Sequence, residues 1–256
     1  MDFKFLPLLL AMLLAGSFIF PKSIQAQDNS ENIPDQKSTE LNISKFRFAI
    51  DGGPGYLLGN TKTAKETLAS YGISKTEIDK YYKDLKLGEQ FGVSAHYLVN
   101  DKYGLGLDYR IFTTKSNTMG FIDSPDTYST FYGPLSEKIY TNFAGISYFS
   151  QQKLQNERWN IYSSVALGWA FYHNESNLIV SPVLLEGNSF ATNYNLGIEY
   201  RLSKHIALGA GLECFYSVLH KFQLNNGQTT TEIKLNKEQR ENLSRLNLTA
   251  GIHFYL

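Results

Sequence analysis

Cysteine is nearly missing from this chain: Cys214 stands alone among 256 residues, so no internal disulfide can form. For an exported chain of this length, that argues against a small secreted module held by disulfide staples. Net charge is missing too, because Lys plus Arg and Asp plus Glu are 24 each. Without an excess of positive charge there is no broad field to attract nucleic acid, and none is expected as a partner. Beyond residue 20, no apolar run approaches the ~20 residues of a membrane-spanning helix. If the chain sits in a membrane, it does so as strands. Chemical motifs are scarce as well. His96, His173, His205, His220 and His253 have no paired ligand spacing and no neighbouring Cys. There is no phosphate-binding glycine loop, zinc motif or paired-carboxylate motif, so no cofactor or metal is expected.

Aromatic residues, by contrast, are abundant, with 17 Tyr and 17 Phe. Such a composition fits barrels whose ring girdles sit at both membrane interfaces, although soluble β-proteins can share it. The first 26 residues carry Lys4, an apolar stretch from Phe5 to Phe20, and Ser23-Ile24-Gln25-Ala26. This reads as a secretory signal peptide cleaved near Ala26. No Cys lies beside that site to mark a lipoprotein. Residues 27–44 are polar, aperiodic and interrupted by Pro34, the pattern of a flexible segment, here expected in the periplasm.

From residue 45 to 256 the chain alternates. The last eleven residues set Leu246, Leu248, Ala250, Ile252, Phe254 and Leu256 against Asn247, Thr249, Gly251, His253 and Tyr255. A period of two over ~9–11 residues is a strand long enough to cross a bilayer when tilted. Seven further segments read the same way, over about 46–58, 90–99, 103–111, 138–149, 159–172, 193–202 and 206–218. The connections alternate in length. Links after strands two, four and six are short, whereas about 59–88, 115–137, 174–189 and 222–243 are read as long loops. That rhythm predicts an all-β fold: an eight-stranded antiparallel up-and-down transmembrane β-barrel with long extracellular loops.

Side-chain size assigns the faces. Bulky apolar residues share one face, while Gly, Ala, Ser, Asn and charges share the other. An eight-stranded barrel has an interior just wide enough for side chains to fill, so the bulky face belongs against lipid. A lipocalin would need the reverse. The inward set holds Arg47, Asp51, Asp108, Arg110, Glu199, Arg201 and Glu213, with His96 and His253. Charges in a low-dielectric lumen must pair, which predicts an ion-pair network bridging strands. Packing of a filled polar lumen is favoured over a gate for solutes.

Taken together, the exported N-terminus, the eight strands, the loop rhythm and the terminal GIHFYL resemble the small eight-stranded outer-membrane barrels of Gram-negative bacteria, the OmpA/OmpX-like families. The resemblance implies a bacterial outer-membrane address, contact with outer-membrane lipids, and an assembly signal at Ile252, Phe254, Tyr255 and Leu256 read by the barrel-assembly machinery. Such families include adhesins, membrane–wall tethers, subunits of larger machines and some enzymes. The peptidoglycan-binding domain of the tether type is not expected, since the barrel runs to the last residue. The leading expectation is a non-enzymatic barrel that binds a surface ligand or another outer-membrane protein subunit.

Two alternatives accompany it. A lipid A hydrolase would draw on His173 and Ser176, but residues three apart on a strand face opposite sides. A small-solute channel would use the charged lumen. In the first long loop, Ser74-x-x-Glu77 is a capping-box pattern before Ile78, Tyr81, Tyr82 and Leu85, and Thr63-x-x-Glu66 predicts a shorter helix. In the last, Asn225-Asn226-Gly227 predicts a hairpin prolonging strands seven and eight. Cys214 falls on the lipid face, where it needs no special role.

Overall fold

The computed structural model describes residues 44–70, 73–123, 130–154, 158–178, 181–237 and 239–256. The expected signal segment 1–26 and linker 27–44 lie, but for Ser44, outside these residues. Eight long strands form the wall: β1 (Phe46–Leu57), β2 (Leu87–Leu98), β3 (Tyr103–Asp123), β4 (Thr130–Lys153), β5 (Trp159–Leu178), β6 (Ser181–Arg201), β7 (Ile206–Leu219) and β11 (Arg245–Tyr255). Each pairs antiparallel with its neighbour, and β11 pairs with both β7 and β1, so the sheet closes. At the seam Phe46 and Leu256 exchange backbone hydrogen bonds of 2.9 Å in both directions. Over the height of the four short strands, closure leaves no strand with a free edge, the condition a sheet must meet in lipid.

The expected faces are the observed ones. Trp169 is 55% exposed, Leu208 47% and Ile252 44%, while Glu213 on the opposite face is fully buried. An apolar exterior around a polar, charged interior is the arrangement of a transmembrane barrel and the reverse of a soluble one. The interior is not purely small and polar, however. Phe112, Phe143, Phe149, Phe215, Tyr162, Tyr172 and Tyr255 are buried in it. Glycines make room for them. A Cβ at Gly88 would press within 2.5 Å of the Phe112 ring.

Wall height is unequal, and this corrects the reading of 115–137 and 174–189 as loops, except for 124–129 and 179–180, which lie outside the described residues. β1, β2, β7 and β11 have 12, 12, 14 and 11 residues, close to the ~9–11 that span a bilayer. β3 to β6 have 21, 24, 20 and 21. The extra ten or so residues carry these four strands roughly 25 Å beyond the membrane, at ~3.3 Å per residue and ~40° of tilt. Strand order persists there because the alternation persists with its phase inverted. In β4 the outward Ala144 and Ile146 give way to Lys138 and Ser136, while Ile139 and Leu135 turn inward and are buried.

That raised inner face needs a cover, and the first long connection supplies it. Helices α1 (Lys62–Ser70) and α2 (Lys75–Lys86) fill residues 62–86. Ser74 caps α2 in a reciprocal box with Glu77, as its sequence predicts. Ile78, Tyr81, Tyr82 and Leu85 lie on one helical stripe and bury against Leu135, Ile139, Phe143, Tyr172 and Leu219. Thr114 Oγ1 pins the end of α2 by donating toward Leu85 O at 2.8 Å and Leu87 O at 3.0 Å. α1 begins at Lys62, one residue before Thr63, with Asn60 Oδ1 accepting from Lys62 N at 3.0 Å.

The last connection holds β8 (Lys221–Asn225), β9 (Thr230–Lys234) and β10 (Glu241–Asn242). β8 continues β7 along β6 after a one-residue shift of register near His220, a β-bulge. β9 folds back on β8 through Gly227, whose φ of +84° suits glycine. β10 prolongs β11 beside β7 in unbroken register. The expected prolongation of both strands is therefore present in short form, and the hairpin itself belongs to the β6 side.

Candidate functional site

The lumen holds two decks of charge. In the middle, Arg110 of β3 reaches Asp51 of β1 through Nη1, and its Nε lies 2.8 Å from Asp108 Oδ1 and 3.3 Å from Glu213 Oε2 of β7. The last two are close pairs of charge without hydrogen-bond alignment. Amides complete the carboxylates: Asn193 Nδ2 donates to Asp108 at 3.0 Å, and Gln90 Nε2 and Asn247 Nδ2 donate to Glu213 at 3.2 and 2.7 Å. One guanidinium thus hydrogen-bonds Asp51 and faces Asp108 and Glu213 as charge alone.

Nearer the short turns, Glu199 of β6 is the hub. Its carboxylate lies 2.7 Å from His253 Nδ1 and 3.6 Å from Arg47 Nη2, takes the Tyr255 hydroxyl, and accepts from Asn160 Nδ2 at 2.8 Å. His253 Nδ1 also lies 2.9 Å from Arg47 Nη2. One ring nitrogen cannot donate to Glu199 and accept from Arg47 at once, so the tautomer selects the partner. Arg201 is placed apart from this hub. It is 4.0 Å from Glu199 and stacks instead on Tyr255, 3.8 Å from guanidinium carbon to ring centre.

Arg245 opens the last strand one residue before the alternation that starts at Leu246, and nothing in the sequence marks it. It is fully buried between Phe215 and Phe112, at 3.8 and 4.8 Å, and its three nitrogens have no hydrogen-bond partner. Arg245 brings the lumen to four arginines and four carboxylates. Gln90, Asn193 and Asn247 are polar residues among others on inward faces, and only the register shows that they reach the acids.

The terminal residues divide between faces. Ile252 and Leu256 are exposed on the apolar side, Phe254 is half-buried there, and Tyr255 points into the lumen. Cys214 is half-buried on the outward side. His173 and Ser176 are not brought together. His173 faces outward, 3.1 Å from Glu186 and 3.3 Å from Glu175, whereas Ser176 shares the inward face. No cluster of three or more His, Cys, Asp or Glu able to hold a metal occurs among the described residues.

Outside, above the lipid belt, the raised wall and the β8–β9 hairpin enclose a groove of about 640 Å³ lined by Tyr140, His173, Glu186, Lys221, Phe222 and Glu232, among others. Tyr140 and His173 are cross-strand neighbours with ring centres 5.9 Å apart. Lys221 Nζ pairs with Glu232 at 2.9 Å. The groove joins flat rings to paired charges, the kind of lining that fixes a ligand's orientation.

No protein-family model matches the chain, and no curated protein matches it. Among solved structures it is similar to Neisserial surface protein A, at 15% identity and a TM-score of 0.44, over 82% of this chain and 97% of that one. It is also similar to a major outer membrane protein from Thermus thermophilus, at 12% identity and a TM-score of 0.49, over 82% and 99%. Similarity to OprG from Pseudomonas aeruginosa is 12% in identity with a TM-score of 0.44, over 84% and 97%. At these values the likeness speaks of neither activity nor partner. The closed pairing and the sided wall carry the assignment of class: this is a small eight-stranded barrel of the outer-membrane type.

Proposed function

We propose that the protein is a non-enzymatic barrel of the bacterial outer membrane that acts as a surface-binding or accessory subunit of a larger outer-membrane assembly. The observation that carries this reading is the raised β3–β6 wall, an ordered sheet held beyond the membrane with a ring-and-charge groove on its outward face. A barrel serving only to close on itself has no use for that height. Support for a non-conducting role comes from the filled lumen, where Arg110, Arg245, Phe143 and Phe149 are all buried across its width.

Outer-membrane lipids are the solvent of the belt in this reading. The barrel-assembly machinery inserts the chain through the strand ending in Ile252, Phe254, Tyr255 and Leu256. Export uses residues 1–26 and leaves 27–44 in the periplasm; N-terminal sequencing of the mature protein tests that part. For the main claim, a photo-crosslinker placed at Asn188 on the raised wall, or at Leu248 on the low one, is irradiated in intact outer membranes. A discrete protein adduct from Asn188 alone is expected. Equal labelling from both, or none from either, sinks the subunit reading. Stepwise conductance in planar bilayers would instead favour a channel.

A further inference from the structure

Two pairs of rings mark the edges of the lipid belt on β5 and β6. Trp159 lies against Tyr200 with ring centres 4.9 Å apart, and Trp169 against Phe190 at 6.1 Å. Ten residues of β5 separate the two tryptophans, about 25 Å along the membrane normal at ~3.3 Å per residue and ~40° of tilt, which is the height of a barrel's apolar band. His173 stands four residues beyond Trp169, with Tyr140 as its cross-strand partner, and this lifts both rings about 10 Å above the belt. Phospholipid headgroups occupy only ~5–8 Å on each side of a ~30 Å core, so the rings rise past them. A headgroup that covers these rings is bulkier, the size of a saccharide.

The chemistry of the wall at that height agrees. A sugar offers its C–H faces to flat rings and its hydroxyls to carboxylates and amides. Tyr140 and His173 supply the rings, and Asn142 and Glu186 line the same groove. One outward row higher, Lys115 of β3 and Lys138 of β4 are direct cross-strand partners, both exposed. Like charges placed opposite one another destabilise a sheet. Asp84 of α2 and Glu175 border the same hollow, yet neither forms an ion pair with either lysine, and Glu175 is turned to His173 at 3.3 Å. Asn117 and Ser136, partners on the next outward row, add an amide and a hydroxyl. Lys138 bends back toward the rings, its Nζ 4.7 Å from the centre of Tyr140. A phosphate between the two lysines removes their repulsion through charge-assisted hydrogen bonds and lies beside a sugar on the rings.

We propose that the β3–β5 side of the groove seats the phosphorylated saccharide headgroup of an outer-leaflet lipid, with a sugar on Tyr140 and His173 and a phosphate between Lys115 and Lys138. The acyl chains run down the belt over the exposed Phe171 and Trp169. This rests on the groove being a binding surface, and it adds a lipid to the protein partner expected at Asn188 on the β6 side.

Native mass spectrometry of the full chain in mild detergent tests this, with bisphosphorylated lipid A, its fully dephosphorylated form and phosphatidylglycerol as probes. Bisphosphorylated lipid A is expected to give a saturable one-to-one adduct. The other two are expected to bind at least about tenfold more weakly, the scale of one hydrogen bond to a charged group. Lys115→Ala combined with Lys138→Ala is expected to weaken bisphosphorylated lipid A by a similar factor and to leave the dephosphorylated form unmoved. Tyr140→Ala is expected to weaken both saccharide lipids several-fold. Lys204→Ala, in the turn at the opposite end, is expected to bind as wild type. Mobility of unheated samples on gels reports whether each variant folds, and if the double variant does not, the two single lysine variants decide. The proposal is overturned if no adduct forms, if either comparison lipid binds as tightly as bisphosphorylated lipid A, or if the lysine variants leave its binding unchanged. A protein adduct from Asn188 is untouched by any of these results, so the two readings fail separately.

Discussion

The guanidinium of Arg245 lies 3.8 Å above the ring of Phe215, its cross-strand partner, with Phe112 on its other side. The charge is thus held by two π faces rather than by hydrogen bonds, and cation–π attraction in a desolvated site is worth about 2 kcal/mol or more. Replacing a buried charge by an apolar group of similar shape is often neutral or stabilising. Arg245→Met is therefore expected to unfold in urea at or above the wild-type midpoint. A loss beyond about 1 kcal/mol would mean that Arg245 is supplying charge to Glu213 instead.

Arg110 behaves in the opposite way. Removing it leaves Asp51, Asp108 and Glu213 crowded without a counter-charge, and breaking a buried pair costs about 3–5 kcal/mol. Arg110→Met is expected to lose that much in denaturant unfolding. Adding Asp51→Asn and Glu213→Gln to the same chain is expected to recover most of it.

Gly92 pairs with Arg110 across β2 and β3, and the space a Cβ would take there is filled by the Arg110 side chain. Gly92→Ala must displace that side chain from its acids. We expect unfolding to be eased by about 1–3 kcal/mol, the range for an overpacked core. A Gly92→Ala barrel as stable as wild type would show that Arg110 has a second position.

The α2 cap is a local matter. Ser74→Ala removes the reciprocal box and is expected to cost about 1 kcal/mol. The loss falls on the helix, not on the closed sheet, so hydrogen exchange should quicken in residues 75–86 while the strands keep their protection.

The two helices are also tied by charge. Lys65 Nζ lies 2.5 Å from Asp79 Oδ1, and this hydrogen bond, with the lysine's charge, holds the Asp79 carboxyl below its ordinary value of 3.8. A depressed folded value means that the stabilisation is complete above 3.8 and fades as pH falls through the lower one. The pair is exposed, so the effect is small. Protection of α1 amides, measured against their intrinsic exchange rate at each pH, is expected to fall slightly on acidification below 3.8 in the wild type, and Asp79→Asn is expected to abolish that dependence.

The eight strands were legible because lipid imposes one rule on every outward position. Where the wall leaves the membrane, that rule lapses. Lys115, Ser136 and Lys138 face water while Leu135 and Ile139 face α2, so the apolar phase inverts in mid-strand and residues 115–137 read as a loop. The seven charges named from the sequence all face inward or half-inward, yet their partners come from strands far apart in the chain. Asp51 and Arg110 are separated by 59 residues, and no local spacing encodes such a meeting. Arg201 illustrates the converse: two residues from Glu199, it turns mainly to Tyr255.

Unequal walls also remove the rotational equivalence that a plain cylinder has about the membrane normal. A neighbour in the plane of the bilayer meets a tall flank from one azimuth and a bare rim from the other. Spin about that axis, as much as lateral travel, then decides how often the two are correctly aligned.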